Sequence, residues 1–161
     1  MATDDDALAL DSQLCFPLYA ATRAMMQAYQ PLLSALGLTY PQYLVLLVLW
    51  EHDGASVKQI GERLFLDSGT LTPLLKRLEV AGVVKRKRST VDERIVEIHL
   101  SARGKRLKQK ATGIPDELAC RIGLDGREVA RVRGNLKRLF ELLQQAGPSA
   151  AKRAASRGET P

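Results

Sequence analysis

Two cysteines, Cys15 and Cys120, are the residues of this 161-residue chain best suited to covalent chemistry. A thiol reacts as its thiolate, so the useful question is which cysteine has a neighbourhood that favours ionisation. Leu14, Leu18, Ala21, Met25 and Ala28 or Tyr29 keep helical spacing, with Asp11 as the expected cap and Pro17 tolerated near the start. Cys15 therefore falls in or near a first turn, where the positive end of the helix dipole stabilises a thiolate. Tyr19, one turn later, offers a phenolic O–H as a hydrogen-bond donor. A lone cysteine on an apolar face is more often a packing residue, so the residues alone leave both thiols either structural or redox-active. No Cys/His spacing resembles a zinc site, and His52 and His99 stand isolated. Nothing resembles a cofactor loop or a catalytic Ser/His/Asp set, so neither a metal, a cofactor nor an enzymatic activity is expected.

The elements around these thiols centre on residues 57–100, which read as a winged helix-turn-helix. Val57–Leu64 is the first helix, with Val57, Ile60 and Leu64 inward and Lys58 outward. A second helix, Ser68 to Ala81, places Leu71, Leu74, Leu75 and Leu78 on one buried face. Gly69, Thr72, Pro73, Lys76 and Arg77 then face outward as a small, hydroxylated and cationic surface suited to a DNA groove. Asp67 or Ser68 caps this helix, and its N-terminus beside Gly69 and Thr70 could receive phosphate. Gly82 stops it. Val83–Lys87 and Ile95–Leu100 then pair as a two-stranded wing across a loop, Arg88 to Arg94, too charged to be buried. The expected DNA-binding set is Lys58, Ser68, Gly69, Thr70, Thr72, Pro73, Lys76, Arg77, Arg86, Arg88 and Arg94.

Charge supports this reading. The net charge is +6, but residues 54–110 hold 14 Lys/Arg against 6 Asp/Glu while the remainder holds 10 against 12. Positive charge concentrated on the reading unit points to phosphate backbone contacts. The longest apolar run, Tyr43 to Trp50, is too short to span a bilayer, and Ala2–Asp6 is acidic rather than a basic leader, so a cytoplasmic protein without membrane partners is expected.

Elsewhere, residues 1–10 read as a flexible arm and 147–161 as a disordered tail. Pro31 is expected to begin a short helix ending at Gly37, and Thr39 or Tyr40 opens an almost wholly apolar core helix through Trp50 and His52. Beyond the wing, Ser101 caps a basic helix to Lys110, Gly113 and Pro115 interrupt it, and spacing resumes through Leu118 and Ile122. Val129, Val132, Leu136, Leu139, Phe140 and Leu143 form a last amphipathic helix ending at Gly147-Pro148. Residues 11–53 and 111–146 thus carry apolar faces with no place in the 54–110 reading unit. A second subunit covers them most economically, and two-fold symmetry would space two reading helices about 34 Å apart on an inverted-repeat operator. The expected class is mainly α with a small β-wing, its terminal helices forming a dimerisation region.

The run Asp67-Ser68-Gly69-Thr70-Leu71-Thr72-Pro73-Leu74-Leu75-Lys76-Arg77-Leu78-Glu79, then Gly82, Asp92-Glu93-Arg94 and Leu100-Ser101-x-x-Gly104, resembles the MarR family of dimeric repressors. Leu14-Cys15-Phe16-x-Leu18-Tyr19, Tyr29, and Leu38-Thr39-Tyr40-Pro41-Gln42-Tyr43 followed by Leu49-Trp50-Glu51 resemble its organic hydroperoxide resistance (OhrR) type. The likeness covers roughly residues 8–145. It implies that Cys15 is oxidised by an organic hydroperoxide, with Tyr19 nearby and Tyr29 and Tyr40 of the partner subunit stabilising its thiolate. It further implies, in the two-cysteine branch, that Cys120 resolves the sulfenic acid by bonding to Cys15 of the other subunit and so releases the operator. The rival function is a MarR-type repressor controlled by a non-covalent aromatic or phenolic ligand; a thiol peroxidase and an architectural DNA-binding protein fit the residues less well.

Overall fold

The structure is a computed structural model that describes residues 8–146; the expected arm up to residue 7 and the tail from 147 lie outside the described residues. A short 3-10 turn, Leu10–Ser12, leads into α1, Cys15–Ser34, followed by α2, Tyr40–Glu51, α3, Val57–Leu64, and α4, Ser68–Val80. Strands β1, Val84–Arg88, and β2, Val96–Leu100, precede α5, Ala102–Ala111, α6, Ile114–Ile122, and α7, Gly126–Ala146. The fold is mainly α with one small antiparallel wing, paired from Val84↔Leu100 to Arg88↔Val96. The chain divides between Ile114 and Pro115 into two compact units.

In the first unit α2 supplies the floor of the core. Thr39 and Gln42 form a capping box with Pro41 in the first turn, so an almost continuously apolar segment starts as a helix rather than a strand. Val45, Leu46 and Leu49 are completely buried, and α4 packs on α2, α3 and β1 through Leu71, Leu75 and Leu78. Leu74, expected on the same face, is only half-buried. The Trp50 indole N–H donates to the Gly104 carbonyl at 3.0 Å, and a Cβ on Gly104 would collide with the Val83 carbonyl oxygen and approach Leu100 to 3.0 Å. Only glycine lets α5 lie this close to the start of the wing.

Several boundaries depart from the sequence expectation for identifiable reasons. Asp11 does not cap α1: it sits inside the 3-10 turn, and Leu14 takes the N-cap position with no side-chain bond. Pro31 begins no new helix. It lies within α1, which needs only to forgo one backbone bond, and the chain turns at Gly37 (φ 69°), where Leu38 N–H donates to Leu33 O and Gly37 N–H to Ser34 O. The wing starts one residue late because Val83 is already committed, its N–H to Leu78 O and its carbonyl to Ser101 N–H. Ile95 likewise closes the loop, donating to Asp92 O and accepting from Ser89 N–H. Ser89 is buried within that charged loop, where its hydroxyl bonds Glu97 and accepts from Val91 N–H. His99 is not isolated: it shares a strand face with Glu97, 3.1 Å away, and lies against Gly54.

In the second unit, Asp125 caps α7 by accepting from the N–H groups of Arg127 and Glu128, while Glu128 accepts from Asp125 N–H. No residue of α7 is buried within one chain, and Val132, Leu136, Phe140 and Leu143 are exposed. Among the described residues no helix is long and apolar enough to cross a membrane. The close approach at Gly104 gives the first prediction: Gly104→Ala forces α5 off the wing and lowers the urea midpoint by the equivalent of about 1–3 kcal/mol with an unchanged slope.

Candidate functional site

The reading surface is built by the burial of Leu71, Leu75 and Leu78, which turns Ser68, Gly69, Thr72, Pro73, Lys76 and Arg77 to solvent. Asp67, rather than Ser68, caps α4: its carboxylate accepts from Thr70 N–H at 2.9 Å and from the Thr70 hydroxyl at 3.0 Å. Those bonds hold the Asp67 carboxyl below its usual pKa. The helix N-terminus therefore already carries an anion, which opposes a phosphate at the same N–H groups. Ser68, Lys58 and Arg94 come from three different elements yet line one cleft of about 600 Å³, together with Leu66 and Ile95. Lys58 and Glu62 lie 3.8 Å apart at the surface, too exposed for the pair to add much stability. Arg88 and Arg94 are exposed on the wing.

Arg86 differs from the other expected DNA contacts. Its Nε lies 3.1 Å from Glu79 Oε2 and its Nη2 donates to the Thr72 carbonyl at 3.4 Å. The guanidinium is half-buried and ties β1 to the outward side of α4, so it sets the angle between wing and helix. Glu79 escaped the sequence reading; its position seven residues after Thr72, on the same helix face, was the available signal.

Cys15 is the first residue of α1 and is exposed. Arg23 Nη1 donates to Tyr19 Oη at 3.0 Å, with the guanidinium 5.7 Å from the ring centre, so the Tyr19 O–H hydrogen stays free to serve another acceptor. Tyr29 and Tyr40 come together, ring centres 5.0 Å apart, and Tyr43 joins them at 5.9 Å from Tyr29 and 6.1 Å from Trp50. Tyr43 also escaped the site reading, although its spacing of three from Tyr40 marks the same helix face. The tyrosine pair is separated from the thiol: Tyr29 lies 14 residues along α1 from Cys15, about 21 Å of helix. Cys120 is exposed on α6, in the second unit.

Burial first, then the neighbouring Tyr40 and Tyr43, pushes the Tyr29 phenol up to about 12, and burial raises Tyr40 as well. Both phenols therefore remain protonated donors throughout the neutral range.

The sequence model of the transcriptional regulator SarA/Rot family matches residues 27–111, which span α2 to α5 and the wing. The chain belongs to this family of winged-helix regulators. The organic hydroperoxide resistance transcriptional regulator of Bacillus subtilis (strain 168) is 49% identical over 140 residues, covering 87% of this chain and 95% of that protein. The regulator TtmR of Methylorubrum extorquens (strain PA1) is 51% identical over 152 residues, 94% of this chain and 78% of the relative. Reduced AbfR bound to DNA superposes with a TM-score of 0.70 at 37% identity, over 86% of this chain and 96% of that one. AbfR in its disulfide form gives a TM-score of 0.60 at 36% identity, over 84% and 96%. The regulator is thus a DNA-binding transcription factor of the MarR-type winged-helix class and not an enzyme.

The raised phenol of Tyr29 makes a second prediction. Its contribution to folding of the regulator is complete below pH 10 and is lost as pH rises through about 12, because the unfolded chain ionises first. Absorbance titration should show one phenol ionising near the top of that window, and Tyr29→Phe should flatten the loss of stability across it.

Proposed function

We propose that this regulator is a cytoplasmic repressor that binds an inverted-repeat operator as a homodimer and releases it when an organic hydroperoxide oxidises Cys15. One observation carries the reading: an exposed thiol at the head of α1 and a Tyr29–Tyr40 pair, whose Tyr29 lies about 21 Å down the same helix, are too far apart to meet within one chain. A two-fold partner laid along α1 brings the tyrosines of one subunit to the sulfur of the other. The exposed Leu14, Leu18, Met25 and Met26 of α1 and the exposed stripe of α7 supply the apolar area such a partner would cover, with residues 11–53 and 111–146 as the dimerisation and sensing helices and 54–110 as the reading unit.

The chemistry balances without a cofactor. The Cys15 thiolate attacks the distal peroxide oxygen, the O–O bond breaks, and the leaving alkoxide takes a proton to give an alcohol and Cys15 sulfenic acid. The Cys120 thiol of the other subunit then attacks the sulfenic sulfur, expelling water and forming a disulfide that a cellular dithiol reduces. A disulfide needs the two Cα atoms within about 7 Å, so its closure draws helices of the dimer together and alters the spacing of the two α4 helices. Likeness to the Bacillus subtilis regulator supports the oxidant, and the existence of a disulfide form of AbfR supports a disulfide as the released state.

Operator reading is assigned to Ser68, Gly69, Thr70, Thr72, Pro73, Lys76 and Arg77 in the major groove and to Arg88 and Arg94 on the wing, with Lys58 near the backbone and Arg86 as a brace. Arg77→Ala and Arg94→Ala should each weaken operator binding, lowering the salt slope by about one unit if the lost contact is to phosphate and costing about 1–3 kcal/mol at one base pair if it is to a base. Wild-type affinity and slope in both variants would remove these surfaces from the interface. Oxidation is read on the same operator. Cys15→Ser should stay bound at every hydroperoxide dose, whereas Cys120→Ser should form the sulfenic acid but release DNA poorly or over-oxidise. Wild-type protein should run as a dithiol-reversible covalent dimer on a non-reducing gel. A covalent dimer that persists in Cys120→Ser would mean a Cys15–Cys15 bridge, and none in the wild type would mean resolution by a small thiol.

A further inference from the structure

Helix α5 carries Arg103, Lys105, Arg106, Lys108 and Lys110 and no acidic residue. Three of these cations have partners in the fold: Arg103 Nη1 donates to the Ala81 carbonyl at 2.8 Å, Lys105 lies 3.7 Å from Asp53, and Lys108 Nζ donates to the Trp50 carbonyl at 2.9 Å. Arg103, together with Arg106 and Lys110, falls on one stripe at i, i+3 and i+7, and the three line a cleft of about 470 Å³ against Leu36 and Gly37 of the turn after α1. Arg106 and Lys110 have no hydrogen-bond or ion-pair partner among the described residues, and no carboxylate lines the cleft. Like charges at these spacings oppose the helix by a few tenths of a kcal/mol per pair, and Arg103 stands in the first turn, the wrong end of the α5 dipole for a cation. An anion in the cleft would offset these repulsions with attractions of its own.

We propose that this cleft is a binding site for a compact, phosphate-bearing small molecule. Its volume lies in the range of small-ligand sites. The turn's N–H groups at Leu36 and Gly37 are already bonded to Leu33 and Ser34 carbonyls, so the anion is held by side chains, with guanidinium forks matching phosphate oxygens. The site is distinct from the reading face. None of the residues assigned to the operator lines it, and its link to α4 is at the C-terminal end, where Arg103 Nη1 donates to the carbonyl of Ala81, the C-cap, four residues beyond Arg77. A ligand there competes for Arg103 with the α4 C-terminus and so couples to operator affinity, reciprocally, without involving either thiol.

The test uses the full-length reduced protein and sodium pyrophosphate at constant ionic strength, followed by calorimetric titration. Saturable binding of one pyrophosphate per chain is expected, at least tenfold weaker in Arg106→Ala/Lys110→Ala and unchanged in Lys76→Ala/Arg77→Ala and in Cys15→Ser. Saturating pyrophosphate should also shift operator affinity of Cys15→Ser at least threefold; an unshifted affinity overturns the coupling through Arg103. The site itself is overturned by an absence of saturable binding up to millimolar pyrophosphate, or by binding that is lost in Lys76→Ala/Arg77→Ala but kept in Arg106→Ala/Lys110→Ala. A lower operator salt slope in Arg106→Ala/Lys110→Ala without pyrophosphate binding overturns it in favour of a contact with the operator backbone.

Discussion

Burial of Leu71, Leu75 and Leu78 fixes the roll of α4 about its own axis, and most of the molecule's functional geometry depends on that one constraint. Each of these side chains is worth about 1.5–3 kcal/mol when removed from water, so rotating the helix enough to hide Lys76 or Arg77 would expose several of them at once. The same burial seats α4 on α2 and α3 and brings its C-terminal turn to β1. Val83 and Val84, both buried, then carry the chain directly into the wing.

Cations divide into two populations by what they find within reach. Arg86, Arg103, Lys105 and Lys108 are engaged by Glu79, the Ala81 carbonyl, Asp53 and the Trp50 carbonyl, and each bond joins separate parts of the fold. They act as braces, and Arg86 in particular couples wing to reading helix. Lys76, Arg77, Arg88 and Arg94 stay at the surface, where a free charge adds little to folding but attracts a polyanion from a distance. A single basic composition thus serves both the rigidity of the reading head and its affinity for DNA.

The thiol follows a different logic, in which helix length is decisive. Placing Cys15 at the start and Tyr29 near the end of one continuous α1 keeps the thiol and the Tyr29–Tyr40 pair apart within a chain, which is why the proposed sensing needs a partner subunit. Sensitivity to oxidation would then exist only in the assembled dimer, the form that also spans an operator. Tyr29 of α1 packs on Tyr40 and Tyr43 of α2, and Tyr43 in turn on Trp50, so the tyrosine pair rests on the helix that floors the reading unit.

Sequence alone determined the elements whose signals are local. The leucine stripe of α4, the Gly82 stop, the Ser101 cap and the charged wing were legible because periodicity, caps and turn residues act within a few positions. It also determined the outward cationic set and the first-turn position of Cys15. Tertiary structure decided which side chains meet once the elements are packed. Arg86 reads with the DNA contacts in sequence, and only the fold shows that it also meets Glu79; His99 reads as isolated but pairs with Glu97; Pro31 reads as a helix start but is absorbed by a helix already under way. Lys58, Ser68 and Arg94 reach one cleft, and Arg103, Arg106 and Lys110 another, only when the chain has folded. The physical reason is common to all of these. Local backbone preferences are written residue by residue, whereas the fate of a long charged side chain is set by which oxygen the packed core happens to bring within its reach.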